Sequence, residues 1–258
     1  MESSNPVLGR AFRKEGFAKF EDTAKFEDTY AGPSATPLET GRMTIDDVVT
    51  KTGLLLAVLV VTAGLAWKLN LNGAILMVGL IAGFILAMVN TFSKSVQPVL
   101  VIAYAICEGL VVGVISHLYN NLYNGIVSQA IIGTVAAFGG ILFLYSSGKL
   151  RATPRFTKML MGAAIGYFIL GIASLIASFA GVGNGMGFYG VHGIGLLLAV
   201  GGVAIASFFF VLDFDQIQKG VQAGVPERES WRASFGLLVT LVWLYLEILR
   251  LLSILRQD

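Results

Sequence analysis

A bundle of membrane-spanning α-helices is the fold this sequence predicts, and three observations predict it. Of the 258 residues, 55% are hydrophobic and only 13% are charged, whereas a soluble domain carries roughly 25% charge. So few polar side chains cannot cover a globule in water, and the apolar excess must face lipid. From Thr44 onward the apolar residues fall into runs of about 20, the length a helix needs to cross the hydrocarbon core. Barrel strands would be about 10 residues long with alternating polarity, and no other structure satisfies the backbone inside a bilayer.

Residues 1 to about 42 read as a polar, disordered tail holding Pro6, Pro33 and Pro37, with a transmembrane domain over 43–258. The tail contains a tandem duplication, Ala18–Thr23 and Ala24–Thr29, both AKFEDT. Two copies are too few for a solenoid. They are a slipped duplication, or a docking motif anchored by Phe20 and Phe26 that folds on a partner. The first fifty residues hold no apolar h-region, so a cleaved secretory signal is not expected.

Thr44 opens TIDD, an N-cap followed by Asp46 and Asp47 at the positive end of the first helix. Spans are expected near 48–67, 73–92, 98–119, 126–147, 157–179, 193–215 and 233–255. The breaks between them, KLNLN, FSKSVQ, NNLYN, GKLRATPR, GVGNGMGFYG and QKGVQAGVPERES, are turn-rich and suit antiparallel neighbours. Gly79 with Gly83, and Gly162 with Gly166, are small-xxx-small pairs that let helix backbones approach.

Basic residues orient the chain. With the N-terminus inside, the inner segments carry Arg42, Lys51, Lys94, Lys149, Arg151, Arg155, Lys158, Lys219, Arg228 and Arg232, and the outer loops carry Lys68 alone. The tail is therefore expected in the cytoplasm and, with seven spans, the C-terminus outside. Six spans and a re-entrant last segment would return the C-terminus inside, and Arg256 is compatible with either.

Several functions are excluded at this level. A net charge of +2 does not suit nucleic acid. One cysteine, Cys107, and two histidines, His117 and His192, leave no multi-cysteine or His-rich metal centre. The spans lack a Ser–His or HExxH arrangement, and no nucleotide-binding loop is present, so neither an enzyme nor a pump is expected.

What the apolar runs do contain is carboxylates. Glu108 lies in the third span, Asp213 and Asp215 toward the end of the sixth, and Glu247 in the seventh. An ionisable group inside a span is costly and marks a functional site by default. Arg250 lies three residues after Glu247 on the same helical face, so it either neutralises Glu247 or snorkels away. Asp213 and Asp215, two apart, point to nearly opposite sides of their helix, one toward the bundle and one toward the rim near Gln216 and Lys219. Two carboxylates held together in low dielectric share a proton. Its loss leaves like charges that separate or recruit a cation, and oxygen ligands suit Ca²⁺.

At these residues the chain resembles the transmembrane Bax-inhibitor motif family, especially its bacterial YccA-like branch, over roughly 44–258. The resemblance is carried by Glu108-Gly109, by Asp213-x-x-x-Ile217, and by Leu244-Tyr245-Leu246-Glu247-Ile248 followed by Leu251-Leu252-x-x-Leu255. It implies seven helices with the last at the centre, a pH-sensitive Ca²⁺ leak gated by two acidic residues on the last two helices, a multi-pass place in the bacterial inner membrane, and association with a membrane-bound AAA protease. No cofactor is expected beyond Ca²⁺ as the transported ion. By position, Asp213 and Glu247 match the acidic pair. The family usually has Asp where Glu247 stands, and the separation here is longer, with the extra residues around GVPERES and SFGLLVTL. At 1.5 Å per residue, Asp213 lies about 9 Å from Lys219, while Glu247 lies about 18 Å from Phe235. The expected sensor is Asp213 with Glu247, with Glu108 as the alternative partner for Glu247. The second functional reading is a regulatory partner of the protease, acting through the tail.

Overall fold

A computed structural model describes residues 41–185, 187–191 and 193–256. The AKFEDT duplication and the rest of the expected tail up to Thr40 lie outside the described residues, as does His192. Among the described residues are seven helices long and apolar enough to cross a membrane. They are α1 (Ile45–Lys68), α2 (Gly73–Phe92), α3 (Pro98–Leu122), α4 (Ile126–Ser146), α5 (Pro154–Phe179), α6 (Ile194–Gln222) and α7 (Ser230–Leu255). No strand is present among them, only one isolated bridge between Arg42 and Pro226.

The helix starts follow local chemistry. Thr44 caps α1 reciprocally: its Oγ1 accepts from the Asp47 amide at 3.1 Å, and Asp47 Oδ2 accepts from the Thr44 amide at 2.9 Å. Asn72 caps α2 by accepting from the Ala74 amide at 3.1 Å. Pro98 and Pro154 occupy the first turns of α3 and α5, where a missing N–H costs nothing. Several boundaries depart from expectation, among them three near the functional seam. Helix α5 starts three residues early, α7 starts at Ser230, and α6 runs past Asp215 to Gln222, absorbing QKGVQ. The helix stops where Gly224 takes φ +64°, a left-handed turn open to glycine.

Helices alternate in direction, so the bundle has a near end, where α1 begins, and a far end, where α1 finishes. At the near end the segment after α6 is clasped to its surroundings. The Met43 amide donates to Val225 O at 2.9 Å, Lys51 Nζ pairs with Glu227 at 2.9 Å, and Arg228 Nε donates to Val96 O at 2.6 Å. The α6–α7 connection thus holds the start of α1 and the α2–α3 turn together.

Helix α7 is central, packing on α1, α3, α4 and α6. Half of the apolar stretch of α3 and of α7 is buried, against 11% for α5. Leu238, Leu244 and Leu249 of α7 and Phe210 of α6 are fully enclosed. In lipid these contacts gain little from hydrophobicity, since acyl chains are equally apolar; close packing is what favours them. Peripheral α5 shows lipid Phe168, Ile169, Ile176 and Phe179.

Glycine contacts sort the two expected small-residue pairs. Gly79 and Gly83 do face α3, against Val111 and Cys107. A Cβ at Gly162 or Gly166 would meet nothing within 4 Å among the described residues. The tightest approach is elsewhere: Gly109 and Gly113 of α3 lie against Thr62, Ala63 and Ala66 of α1.

Candidate functional site at the α6–α7 seam

Depth along α7 orders the polar groups. At 1.5 Å per residue, Thr240 lies about 15 Å into α7, Glu247 about 25 Å and Arg250 about 30 Å. Each level carries its own constellation.

At the Thr240 level, Thr240 Oγ1 donates to Asp213 Oδ2 at 2.7 Å, joining α7 to α6 inside the bundle. Asp215, two residues on, turns outward and pairs with Lys219 Nζ at 2.6 Å. One aspartate thus faces the bundle and the other the rim, as alternation around a helix requires. Glu108 sits on α3 beside Tyr104, one turn earlier, and its Oε1 faces the bare backbone of Gly83 on α2.

At the Glu247 level the carboxylate is 4% exposed and meets only donors. Tyr167 Oη of α5 donates to Oε2 at 2.8 Å, and Tyr189 Oη donates to Tyr167 Oη at 2.8 Å. Trp243 Nε1, one turn earlier on α7, donates to Oε1 at 3.2 Å. Arg250 Nη1 reaches both carboxylate oxygens at 3.1 Å, and its guanidinium lies 4.5 Å from the Tyr189 ring centre. Such a ring of donors suits an anion, which has acceptor sites alone. The fit depends on Gly202 of α6, where a Cβ would fall 2.5 Å from Glu247 Oε2 and also against the Tyr167 hydroxyl.

Direct pairing of Asp213 with Glu247, the arrangement expected from position, is not what the structure shows. Among the described residues Asp213 is bonded to Thr240, and Glu247 to Tyr167, Trp243 and Arg250. Seven residues of α7 separate the two levels by about 10 Å. The physical reason is the longer start of α7, which puts Thr240 opposite Asp213. Glu108 does not partner Glu247 either. Of the two courses open to Arg250, neutralising Glu247 is the one taken. Asp213 and Glu247 therefore share no cation in this geometry.

The packed layer between the levels includes the edge-to-face pair Phe209–Trp243, 5.3 Å between ring centres, with enclosed Ala206, Phe210 and Leu244. Beyond it the structure opens. A cavity of about 670 Å³ lies between α5, α7 and the turn Gly187–Gly190, with Glu247, Arg250, Tyr167 and Trp243 at its polar side. A second, of about 360 Å³, reaches toward the far end along Tyr119, Tyr123 and Ser253. Arg250, Tyr189, Gly171 and Leu175 line both.

Sequence reasoning named the carboxylates and Arg250 but missed Thr240, Tyr167, Tyr189, Trp243 and Gly202. Trp243 and Thr240 were within reach, one and two turns before Glu247. Tyr167 and Tyr189 approach across space and leave no spacing signal.

The profile of a family described as Bax inhibitor 1 like matches residues 5–257, nearly the whole chain. The chain belongs to that family. A comparison with curated proteins returned no match. In this family member the acidic residues of the last two helices occupy two stations along one seam.

That seam supplies a prediction. Gly202→Ala places a methyl group between α6 and the Glu247–Tyr167 contact. Overpacking of this kind costs about 1–3 kcal/mol. The expected result is a lower melting temperature in detergent, whereas Gly201→Ala, where nothing lies within 4 Å, is tolerated.

Proposed function

We propose that this family member is a passive, proton-responsive cation pathway in a cell membrane, with Asp213 and Glu247 as successive acidic stations and Ca²⁺ as the ion carried. One observation carries the reading: two carboxylates lie at levels about 10 Å apart along the axis of α7, one beside Thr240 and the other at the inner wall of the larger cavity. Intramembrane carboxylates facing a bundle interior mark ion and proton routes. Conduction favours several weak sites over one tight one. Neither station offers the six to eight oxygens of a resident Ca²⁺ site, so ions would bind briefly and move on. The layer at Phe209 and Trp243 makes the present arrangement a closed one.

Protons act at Asp213, where protonation removes the negative charge beside Thr240. At Glu247 the Arg250 guanidinium reaches both carboxylate oxygens and balances the charge beside the route. The near end, rich in Lys and Arg, would face the cytoplasm of a bacterial cell.

The test is Ca²⁺ uptake by vesicles holding the purified chain, measured across pH. Flux should depend on pH, and Asp213→Asn combined with Glu247→Gln should flatten that dependence. A double variant with the full pH profile overturns the proposal.

A further inference from the structure

The two cavities meet at Arg250, and their linings differ. The larger is apolar on its α5 side, where Ile165, Phe168, Ile172 and Leu175 also show to the surroundings. In a bilayer this side opens to acyl chains. The smaller carries hydroxyls, from Tyr119, Tyr123, Ser174 and Ser253, and lies toward the far end. Arg250 stands at the junction, about 8 Å from the end of α7. That is close to the depth at which a lipid headgroup gives way to its chain.

The guanidinium has capacity to spare. Only Nη1 is engaged by Glu247, while Nε and Nη2 have no hydrogen-bond partner among the described residues. Those two nitrogens form one edge of the planar fork, which matches a carboxylate or phosphate in bidentate fashion. The Tyr189 ring face lies 4.5 Å from the guanidinium carbon and holds it in place. Volumes of about 670 and 360 Å³ fall in the range of sites for molecules of drug or lipid-chain size, roughly 300–1,000 Å³.

We infer that this pair of cavities binds an anionic amphiphile from the membrane. Its acyl chain lies in the larger cavity between α5 and α7, and its carboxylate or phosphate takes the free edge of Arg250. A bound molecule would stand between the far end and Glu247. The site is independent of the flux reading, since binding is measured without transport.

Trp243 lines the larger cavity and reports on it. With Trp67→Phe and Trp231→Phe, Trp243 is the single tryptophan. The protein is placed in phosphatidylcholine vesicles, and a few mole per cent of the host lipid is replaced by a brominated fatty acid, brominated phosphatidylglycerol or brominated phosphatidylcholine. Bromine quenches by contact. The expected result is severalfold stronger quenching by the anionic probes than by brominated phosphatidylcholine at equal fraction. Arg250→Gln should reduce the anionic probes to the phosphatidylcholine level. Gly171→Leu, at a position where a Cβ meets nothing within 4 Å, should fill the junction and abolish the preference while leaving Arg250 intact. Inorganic phosphate in solution should not relieve the quenching.

Equal quenching by all three probes would mean ordinary lipid contact and would overturn the proposal. So would a preference that survives both substitutions. Relief by millimolar phosphate would make this a site for free anions, which also overturns it.

Discussion

Arg250→Leu is expected to destabilise the protein more than Glu247→Gln, although the two residues share one ion pair. Removing Arg250 leaves the Glu247 carboxylate, 4% exposed, without its counter-charge. Removing one partner of a buried pair costs roughly 3–5 kcal/mol because the other charge is stranded. Arg250 is 35% exposed at its side chain, which favours the lower end of that range. The contact of its guanidinium with Tyr189 is lost as well. At about 2–4 °C per kcal/mol for a chain of this size, the melting temperature in detergent should fall by about 6–12 °C. Glu247→Gln keeps an oxygen for the Trp243 N–H, turns its NH2 toward the Tyr167 hydroxyl, which can accept, and leaves Arg250 able to hydrate through the far-end cavity, so it should cost less. The double variant, Glu247→Gln with Arg250→Leu, should recover part of the loss, since no stranded charge remains. A double-mutant cycle measures that coupling. Equal losses for the two single variants, or strict additivity, would mean that the pair is hydrated and energetically idle.

The second large effect concerns packing. Gly113→Leu should abolish assembly of a stable bundle. A Cβ at Gly113 would already stand 2.8 Å from Ala66 Cβ and 2.8 Å from Ala63 Cα, both on α1. Backbone atoms cannot rotate aside, so α1 itself must retreat along its contact with α3. Even Gly113→Ala should cost about 1–3 kcal/mol by overpacking. Gly162→Ala on α5 is the control. Nothing lies near it, and replacing a mid-helix glycine gains up to about 1 kcal/mol in helix propensity. The two substitutions are chemically identical and should have opposite signs in a melting experiment. Similar outcomes at both positions would contradict the assigned α1–α3 approach.

These glycines show where a sequence stops being informative. Gly79 and Gly83, Gly109 and Gly113, and Gly162 and Gly166 share one spacing in apolar surroundings. Four of the six lie against another helix and two meet nothing. Spacing places a pair on one face of a helix; it does not say whether that face meets a helix or lipid. The carboxylates repeat the lesson. Their place in apolar runs was readable, and so was the opposite facing of Asp213 and Asp215, because both follow from helical periodicity. The partner of Glu247 was not readable. Asp213, Glu108 and Arg250 were each admissible by position, and the decision between them rests on where α7 begins relative to α6.

By itself the sequence determined the class of solvent, the division of the chain into helical spans, the capping of α1 at Thr44 and the presence of acid groups in the membrane. All of these depend on local composition and on the fixed rise and turn of an α-helix. The tertiary structure decided the rest: Thr240 opposite Asp213, two tyrosines converging on Glu247 over Gly202, and cavities meeting at Arg250. Those contacts depend on axial offsets between helices distant in the chain, and such offsets are set by packing and by the clasp at the near end. A shift of one helical turn, about 5.4 Å, would exchange the partners without altering any periodicity in the chain.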